Sequence, residues 1–171
     1  MIAVTKLLEI LNKPSLLFWS NKLGLNGTSL NDYYNTVKNE GNTKHNEIEL
    51  FIKYGVIFDG YEKLKESLKS YEIIGVEVDV KNDFLIGRID LILRKNNLIY
   101  VCDFKRNKSI YLNTKIQLST YKHLYGADKI CFINSEDFKI KEININTEKY
   151  FEVTKRLFQI NQLLTSLNEK L

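Results

Sequence analysis

The fold that we expect for this chain is decided by the stretch FLIGRIDLILRKNNLIYVCDFKRNKSIYLNTKIQLSTYKHLY, residues 84–125. It holds two short apolar segments, Phe84–Leu93 and Leu98–Phe104. Each contains one acid, Asp90 in the first and Asp103 in the second. A carboxylate at the end of an apolar strand is costly unless a metal ion or a counter-charge satisfies it. The two acids therefore favour a functional interpretation of these strands.

A lysine and a predicted helix follow the second acid. Lys105 stands two residues after Asp103, and strand side chains alternate between faces, so both should project to the same side. In the helix that follows, Gln117 and Tyr121 share one face at i, i+4 spacing. Two carboxylates that converge from adjacent strands form a hard oxygen site suited to Mg²⁺ or Mn²⁺. The alternative is that Asp90 and Asp103 are strand-end acids exposed to water.

Four short motifs occur in order along the chain: Gly41-x-x-x-His45-x-x-x-Glu49, Gly87-x-x-Asp90, Asp103-x-Lys105 and Gln117-x-x-x-Tyr121. Any one of them is a weak signal, but their order and spacing together resemble the PD-(D/E)XK nuclease superfamily, and specifically its RecB-like branch. The resemblance covers roughly residues 41–133. Gly87 is interpreted as a site of close backbone approach or as a strand bulge.

The resemblance implies a metal-dependent deoxyribonuclease, a hydrolase of phosphodiester bonds with Mg²⁺ or Mn²⁺ as cofactor. Asp90, Asp103 and Lys105 would be the catalytic residues. The metal ligands would be His45, Asp90, Asp103 and the backbone carbonyl of Phe104. Lys105 would orient the attacking water and stabilise the negative charge that builds on the phosphate. For Lys105 the alternative is a surface lysine that pairs with Asp103. For His45 the alternative is an ordinary half-buried histidine.

Four further residues are expected to bind DNA or support the site: Gln117, Tyr121, Arg106 and Glu49. Gln117 and Tyr121 are similar to the family's Q-x-x-x-Y pair and could contact DNA or buttress the catalytic lysine, although helix packing would also explain Tyr121. Arg106 stands where many relatives have small residues, which leaves the phosphate contacts of that loop open. Glu77, on the preceding strand, is interpreted as an exposed sheet residue rather than one that reaches a metal through water.

The RecB-like branch favours an exonuclease that acts at DNA ends, on single strands or duplex ends, in replication, recombination or repair. One alternative is an endonuclease of the same chemistry, of the restriction or junction-resolving type. Another is a catalytically inactive module that binds nucleic acid or protein, against which the intact set of Asp90, Asp103 and Lys105 argues. The chain has no P-loop, so we expect no ATP-driven motor in it.

The composition fits one domain of 171 residues, with 44% hydrophobic residues and a net charge of +4. The charge permits nucleic-acid binding without requiring it. We expect N-terminal helices over 1–70, a catalytic core over 71–133, and a C-terminal strand and helix over 134–171. No run of eighteen apolar residues occurs, so no membrane span is expected.

Cys102 and Cys131 are the two cysteines, and both lie in apolar strand-like segments. We interpret them as buried reduced thiols, which fits an intracellular, cytoplasmic location. Some RecB-like nucleases use four cysteines to hold an iron–sulfur cluster, and two cannot supply that ligation, so no cluster is expected. The small size would suit a phage-encoded or mobile-element protein.

Apolar periodicity, turns and caps predict the elements in order. They are helices over 3–11, 15–23, 29–54 and 59–70, strands over 71–80, 84–94 and 98–105, a helix over 109–125, strands over 129–133 and 138–145, and a helix over 147–167. Gly41 marks the place where the third helix could break. The core order α-β-β-β-α-β indicates an α/β fold with a restriction-endonuclease-like core, in which helices flank a central mixed sheet.

Overall fold

The computed structural model of the chain describes residues 1–11, 14–27, 29–106 and 109–168. Two compact units can be distinguished, Met1–Ile10 with Asp59–Leu171 and, separately, Leu11–Phe58. Among the described residues, no helix has the length and hydropathy of a membrane span.

The larger unit is built on a six-stranded sheet. Its strands are β1 (Ile2–Ala3), β2 (Glu72–Lys81), β3 (Leu85–Lys95), β4 (Leu98–Lys105), β5 (Lys129–Asn134) and β6 (Ile140–Glu142). The order is β1-β3-β4-β5-β6, with β2 along the other edge of β3. The β1–β3 and β4–β5 pairs are parallel and the other pairs antiparallel. The expected α/β class with a central mixed sheet is therefore confirmed.

Helices complete the larger unit. They are α1 (Val4–Leu7) with a 3₁₀ turn (Leu8–Ile10), α4 (Glu62–Leu68), α5 (Leu112–Tyr125) and α6 (Thr147–Asn168). Helix α5 lies against β2, β3, β4 and β5 and also contacts α6. The hydroxyls of Thr120 on α5 and Thr154 on α6 are buried and lie 2.6 Å apart. Side chains such as Leu91, Val101 and Ile133 are fully buried, and each contributes about 1.5–3 kcal/mol to folding.

The smaller unit contains α2 (Pro14–Leu25) and α3 (Leu30–Tyr54). Helix α3 begins at the Ser29 cap, whose hydroxyl accepts a 3.4 Å hydrogen bond from the Asp32 N–H. It ends at Gly55, which has the left-handed φ of +69° that favours glycine. The helix runs unbroken through Gly41, so a break at that residue is wrong. One glycine costs a helix only about 1 kcal/mol, which its other residues outweigh.

Other boundaries also differ from the sequence-based expectations. Residues 2–3 form a strand, and the edge strand expected over 138–145 is limited to Ile140–Glu142. Helix α5 begins at Leu112 rather than at residue 109. These differences lie at element ends, where tertiary pairing rather than local pattern decides the assignment.

Cys102 and Cys131 form a disulfide, so the expectation of reduced thiols is wrong. The parallel register of β4 and β5 places the two cysteines directly opposite each other, with their Cα atoms 4.7 Å apart. Both residues are fully buried. An intracellular location therefore draws no support from the cysteines.

Candidate active site

The candidate site lies where β3 and β4 part. The two strands pair from Lys95–Leu98 to Leu91–Cys102, and the ladder stops there. At the next step the Asp90 carboxylate replaces the β3 backbone as acceptor, taking a 2.8 Å hydrogen bond from the Phe104 N–H to its Oδ2. We call this region the fork, made of Gly87–Asp90 on β3 and Asp103–Lys105 on β4.

Asp103 and Lys105 lie on the same side of β4, as their alternation predicts. The Lys105 Nζ lies 2.6 Å from the Asp103 Oδ2. Asp103 is only 3% exposed, whereas Lys105 is half-buried and reaches the surface. A carboxylate this deep in a sheet needs nearby positive charge, and the lysine ammonium supplies some of it.

A third carboxylate, from Glu77 on β2, reaches the same site. One of its oxygens lies within 4.8 Å of a carboxylate oxygen of Asp90. Glu77 is half-buried, so the interpretation of it as an exposed sheet residue is wrong. Its φ of +54° is unusual for a non-glycine residue in a strand. The interactions of the surrounding sheet must offset the strain of this conformation. The sequence signal was the β2–β3 hairpin, since pairing Val80 with Gly87 sets Glu77 opposite Asp90.

The electrostatics of the fork favour a bound cation. Burial raises the pKa of Asp90 well above its usual range, and repulsion from Asp103 and Glu77 raises it further, against the opposing effects of the Phe104 N–H and Lys105. Burial lowers the pKa of Lys105, but its attraction to Asp103, the hydrogen bond that it donates to Asp103 and the charge of Asp90 leave that pKa raised on balance. Three crowded carboxylates with one ammonium group are an oxygen-rich donor set that fits Mg²⁺ or Mn²⁺.

Gln117 and Tyr121 share a face of α5, as expected, and meet β3. The Gln117 Nε2 donates a 3.4 Å hydrogen bond to the Tyr121 hydroxyl. Tyr121 is only 3% exposed, and its ring lies directly against Gly87. The interpretation of Gly87 as a point of close approach therefore agrees with the structure, although what approaches is a tyrosine ring.

The other predicted site residues are His45, Glu49, Arg106 and Phe104. His45 lies in the smaller unit, half-buried on α3, and its role as a ligand stays a prediction. Glu49 accepts a 2.6 Å hydrogen bond from Lys53 one turn later on α3. Arg106 is exposed, and its Nε lies 3.2 Å from Glu136 Oε1. The role of the Phe104 carbonyl as a ligand also stays a prediction.

Comparison with known proteins places the chain in a family. The PD-(D/E)XK nuclease superfamily model matches residues 48–159, more than half of the chain. No curated protein matches. A solved structure titled "Crystal structure of SSO0001" is similar at 18% sequence identity and a TM-score of 0.49, over 93% of this chain and 75% of that one. On the strength of the family match, this chain belongs to the PD-(D/E)XK nuclease superfamily.

Proposed function

We propose that this nuclease is an exodeoxyribonuclease that uses Mg²⁺ or Mn²⁺ and acts at DNA ends, in replication, recombination or repair. Superfamily membership implies a nuclease that hydrolyses phosphodiester bonds with divalent metals. The observation that carries the proposal is the convergence of Asp90, Asp103 and Lys105 at the fork, with the Lys105 Nζ 2.6 Å from Asp103.

Asp90, Asp103 and Glu77 are the side chains that would hold the ion in the larger unit. When bound, a divalent ion supplies Lewis-acid stabilisation of charge on the phosphate and lowers the pKa of water. We further propose the His45 imidazole and the Phe104 carbonyl as additional ligands, on the family resemblance.

Lys105 is proposed to act as a cation rather than as a base. Its raised pKa keeps the ammonium protonated at neutral pH, so the group donates hydrogen bonds and carries positive charge. At the rim of the fork this ammonium can orient a water molecule and stabilise the negative charge that develops on the phosphate. Asp103 fixes the position of the ammonium through their ion pair.

The exonuclease assignment rests on the resemblance to the RecB-like branch. Support comes from the meeting of two of its motifs, because the Gly87 backbone lies directly against the Tyr121 ring. Single strands and duplex ends are both proposed substrates. Arg106 and the exposed basic residues near α5 are proposed to contact phosphates, with Glu49 supporting His45.

The experiment is a time course on end-labelled linear DNA and on closed circular DNA, with Mg²⁺ or Mn²⁺. We expect label to be released from linear DNA while closed circles stay intact. The Asp103→Asn variant is the matched control for contaminating nucleases. Nicking or linearisation of circles at the same rate would replace the exonuclease assignment with an endonuclease. No cleavage of either substrate would favour a catalytically inactive binding module.

A further inference from the structure

One edge of β3 changes partner at the fork. Strand β2 pairs along one edge of β3, while β1 and β4 share the other edge. On that second edge β1 pairs with Leu85 and Ile86, and β4 pairs only from Leu91 onward. Among the described residues, no strand pairs with Gly87–Asp90 on this edge. Backbone groups in such a gap need other partners if they are not to remain unsatisfied.

The Tyr121 side chain reaches the backbone of β3 at this gap. The Arg88 backbone N–H hydrogen bonds to the phenol oxygen, which also accepts from the Gln117 amide at 3.4 Å. The phenol group also interacts electrostatically with Asp90 and Asp103. One buried side chain from α5 therefore contacts the backbone of β3 two residues before Asp90, beside the carboxylates on both branches of the fork.

Gly87 makes this contact possible. A Cβ atom at residue 87 would overlap the Tyr121 Cε1 and lie 3.0 Å from Cζ and 3.1 Å from the phenol oxygen. The backbone of Gly87 has no positive φ, so it is space rather than conformational freedom that requires glycine here. The ring and the glycine therefore form a matched pair.

We propose that Tyr121 is a positioning residue, whose ring and hydroxyl hold β3 apart from β4 at the fork and thereby set the spacing of Asp90 and Asp103. The Asp90–Phe104 hydrogen bond ties the branches together on one side of the gap, and Tyr121 keeps them separate on the other. The inference rests on the proposed function, because the spacing matters only if the carboxylates share a metal ion.

A positioning role and a DNA-contact role for Tyr121 predict different measurements. Groups that orient metal ligands typically change metal affinity or activity by 10–100-fold when mutated. A side chain that only contacts DNA would instead change KM for DNA and leave metal affinity intact. Tyr121 is only 3% exposed and therefore poorly placed to touch DNA. We expect its substitution to change metal affinity and kcat rather than KM for DNA.

The first test measures Mn²⁺ binding by calorimetry, and kcat and KM on linear DNA, for wild type and Tyr121→Phe. The phenylalanine keeps the ring and removes the oxygen that accepts from Arg88 and Gln117. We expect Mn²⁺ affinity and kcat to fall about tenfold or more, with KM for DNA unchanged. Tyr100→Phe is the matched control, a buried tyrosine on β4 whose electrostatic neighbours are Glu142, Tyr71, Lys129 and Asp128. It should keep wild-type values.

The outcomes separate the two proposals. A wild-type protein that neither binds Mn²⁺ nor cleaves DNA would overturn the proposed function. A wild-type protein that does both, alongside a Tyr121→Phe variant with unchanged Mn²⁺ affinity and kcat, would overturn the positioning role alone. A raised KM with unchanged Mn²⁺ affinity would also overturn it, in favour of DNA contact.

A second test probes the matched pair without any cofactor. The denaturation midpoints of Gly87→Ala, Tyr121→Leu and the double variant are measured in EDTA. We expect Gly87→Ala to lower the midpoint strongly in the wild-type background and much less beside Tyr121→Leu, where the outer ring atoms are gone. An equal cost of Gly87→Ala in both backgrounds would show that the ring does not fill the space beside Gly87, and would overturn the matched pair.

Discussion

The Asp90 Oδ2 accepts a 2.8 Å hydrogen bond from the Phe104 N–H at the point where the β3–β4 ladder ends. A catalytic carboxylate candidate thus takes the position of a main-chain carbonyl between two strands. The bond fixes Asp90 beside Asp103, and burial together with Coulombic repulsion between the two acids raises the pKa of Asp90. The energetic cost of this arrangement in the metal-free protein leads to the first prediction.

Asp90→Asn should stabilise the metal-free protein and abolish cleavage. A carboxyl whose pKa is higher in the folded than in the unfolded state contributes stability at low pH, and that contribution is lost as pH rises through the raised pKa. The asparagine oxygen can still accept from Phe104, while the charge repulsion is removed. At pH 7 in EDTA we expect a gain of about 1 kcal/mol, or roughly 2–4 °C in Tm. A lower Tm for the variant across pH 5–8 would contradict this.

Lys105→Ala should separate catalysis from metal binding. Loss of a charge that stabilises the transition state commonly reduces kcat by about 10²–10³-fold. The ammonium lies 2.6 Å from Asp103 and competes with a cation for its charge, so Mn²⁺ should bind the variant as tightly as wild type or more tightly. Calorimetry and cleavage rates measured on the same samples test both statements. Near-wild-type cleavage by Lys105→Ala would show that Lys105 is not a catalytic residue.

The Cys102–Cys131 disulfide should survive in the purified protein and stabilise it. The bond closes a loop with a sequence separation of 29 residues, and loops of this order contribute about 3–4 kcal/mol. Alkylation of the denatured, unreduced protein should label neither cysteine, and alkylation after reduction should label both. The free energy of unfolding of the reduced protein should be lower than that of the disulfide-bonded protein by about this amount. Two reactive thiols before reduction would contradict the disulfide.

His45→Ala should weaken activation by Mn²⁺ more than activation by Mg²⁺ if the histidine is a ligand. An imidazole makes an oxygen site softer, and Mg²⁺ prefers oxygen and water. His123→Ala is the matched control, because that ring stacks on Phe151, with centroids 3.8 Å apart, and lies 3.7 Å from Glu148. Half-saturation values for both metals that match wild type would leave the carboxylates as the only side-chain ligands.

Local patterns were sufficient to predict part of the fold and part of the site. Alternation along β4 predicted that Asp103 and Lys105 face the same side, and apolar periodicity located β2 to β5 and α5 to within a few residues. The i, i+4 spacing of Gln117 and Tyr121 likewise predicted a shared helix face. These features depend on the chain within one element, where the sequence signal is strong.

Features that depend on register between elements were missed. Glu77 joins the site because of its pairing position opposite Asp90, and its positive φ has no local sequence signal. The disulfide depends on the parallel register across the α5 crossover, which no local pattern specifies. Strand β1 is only two residues long and exists through its pairing with Leu85 and Ile86.

The central claim, that the carboxylates of the fork hold the divalent ion required for cleavage, is tested most directly by a metal titration. Cleavage of linear DNA is measured against Mn²⁺ concentration for wild type and Asp103→Asn, after removal of metals with EDTA. We predict saturable activation of the wild type and a loss of about 10³-fold or more in the variant, equivalent to roughly 4 kcal/mol. Cleavage by wild type in excess EDTA, or equal activation curves for the two proteins, would contradict the account.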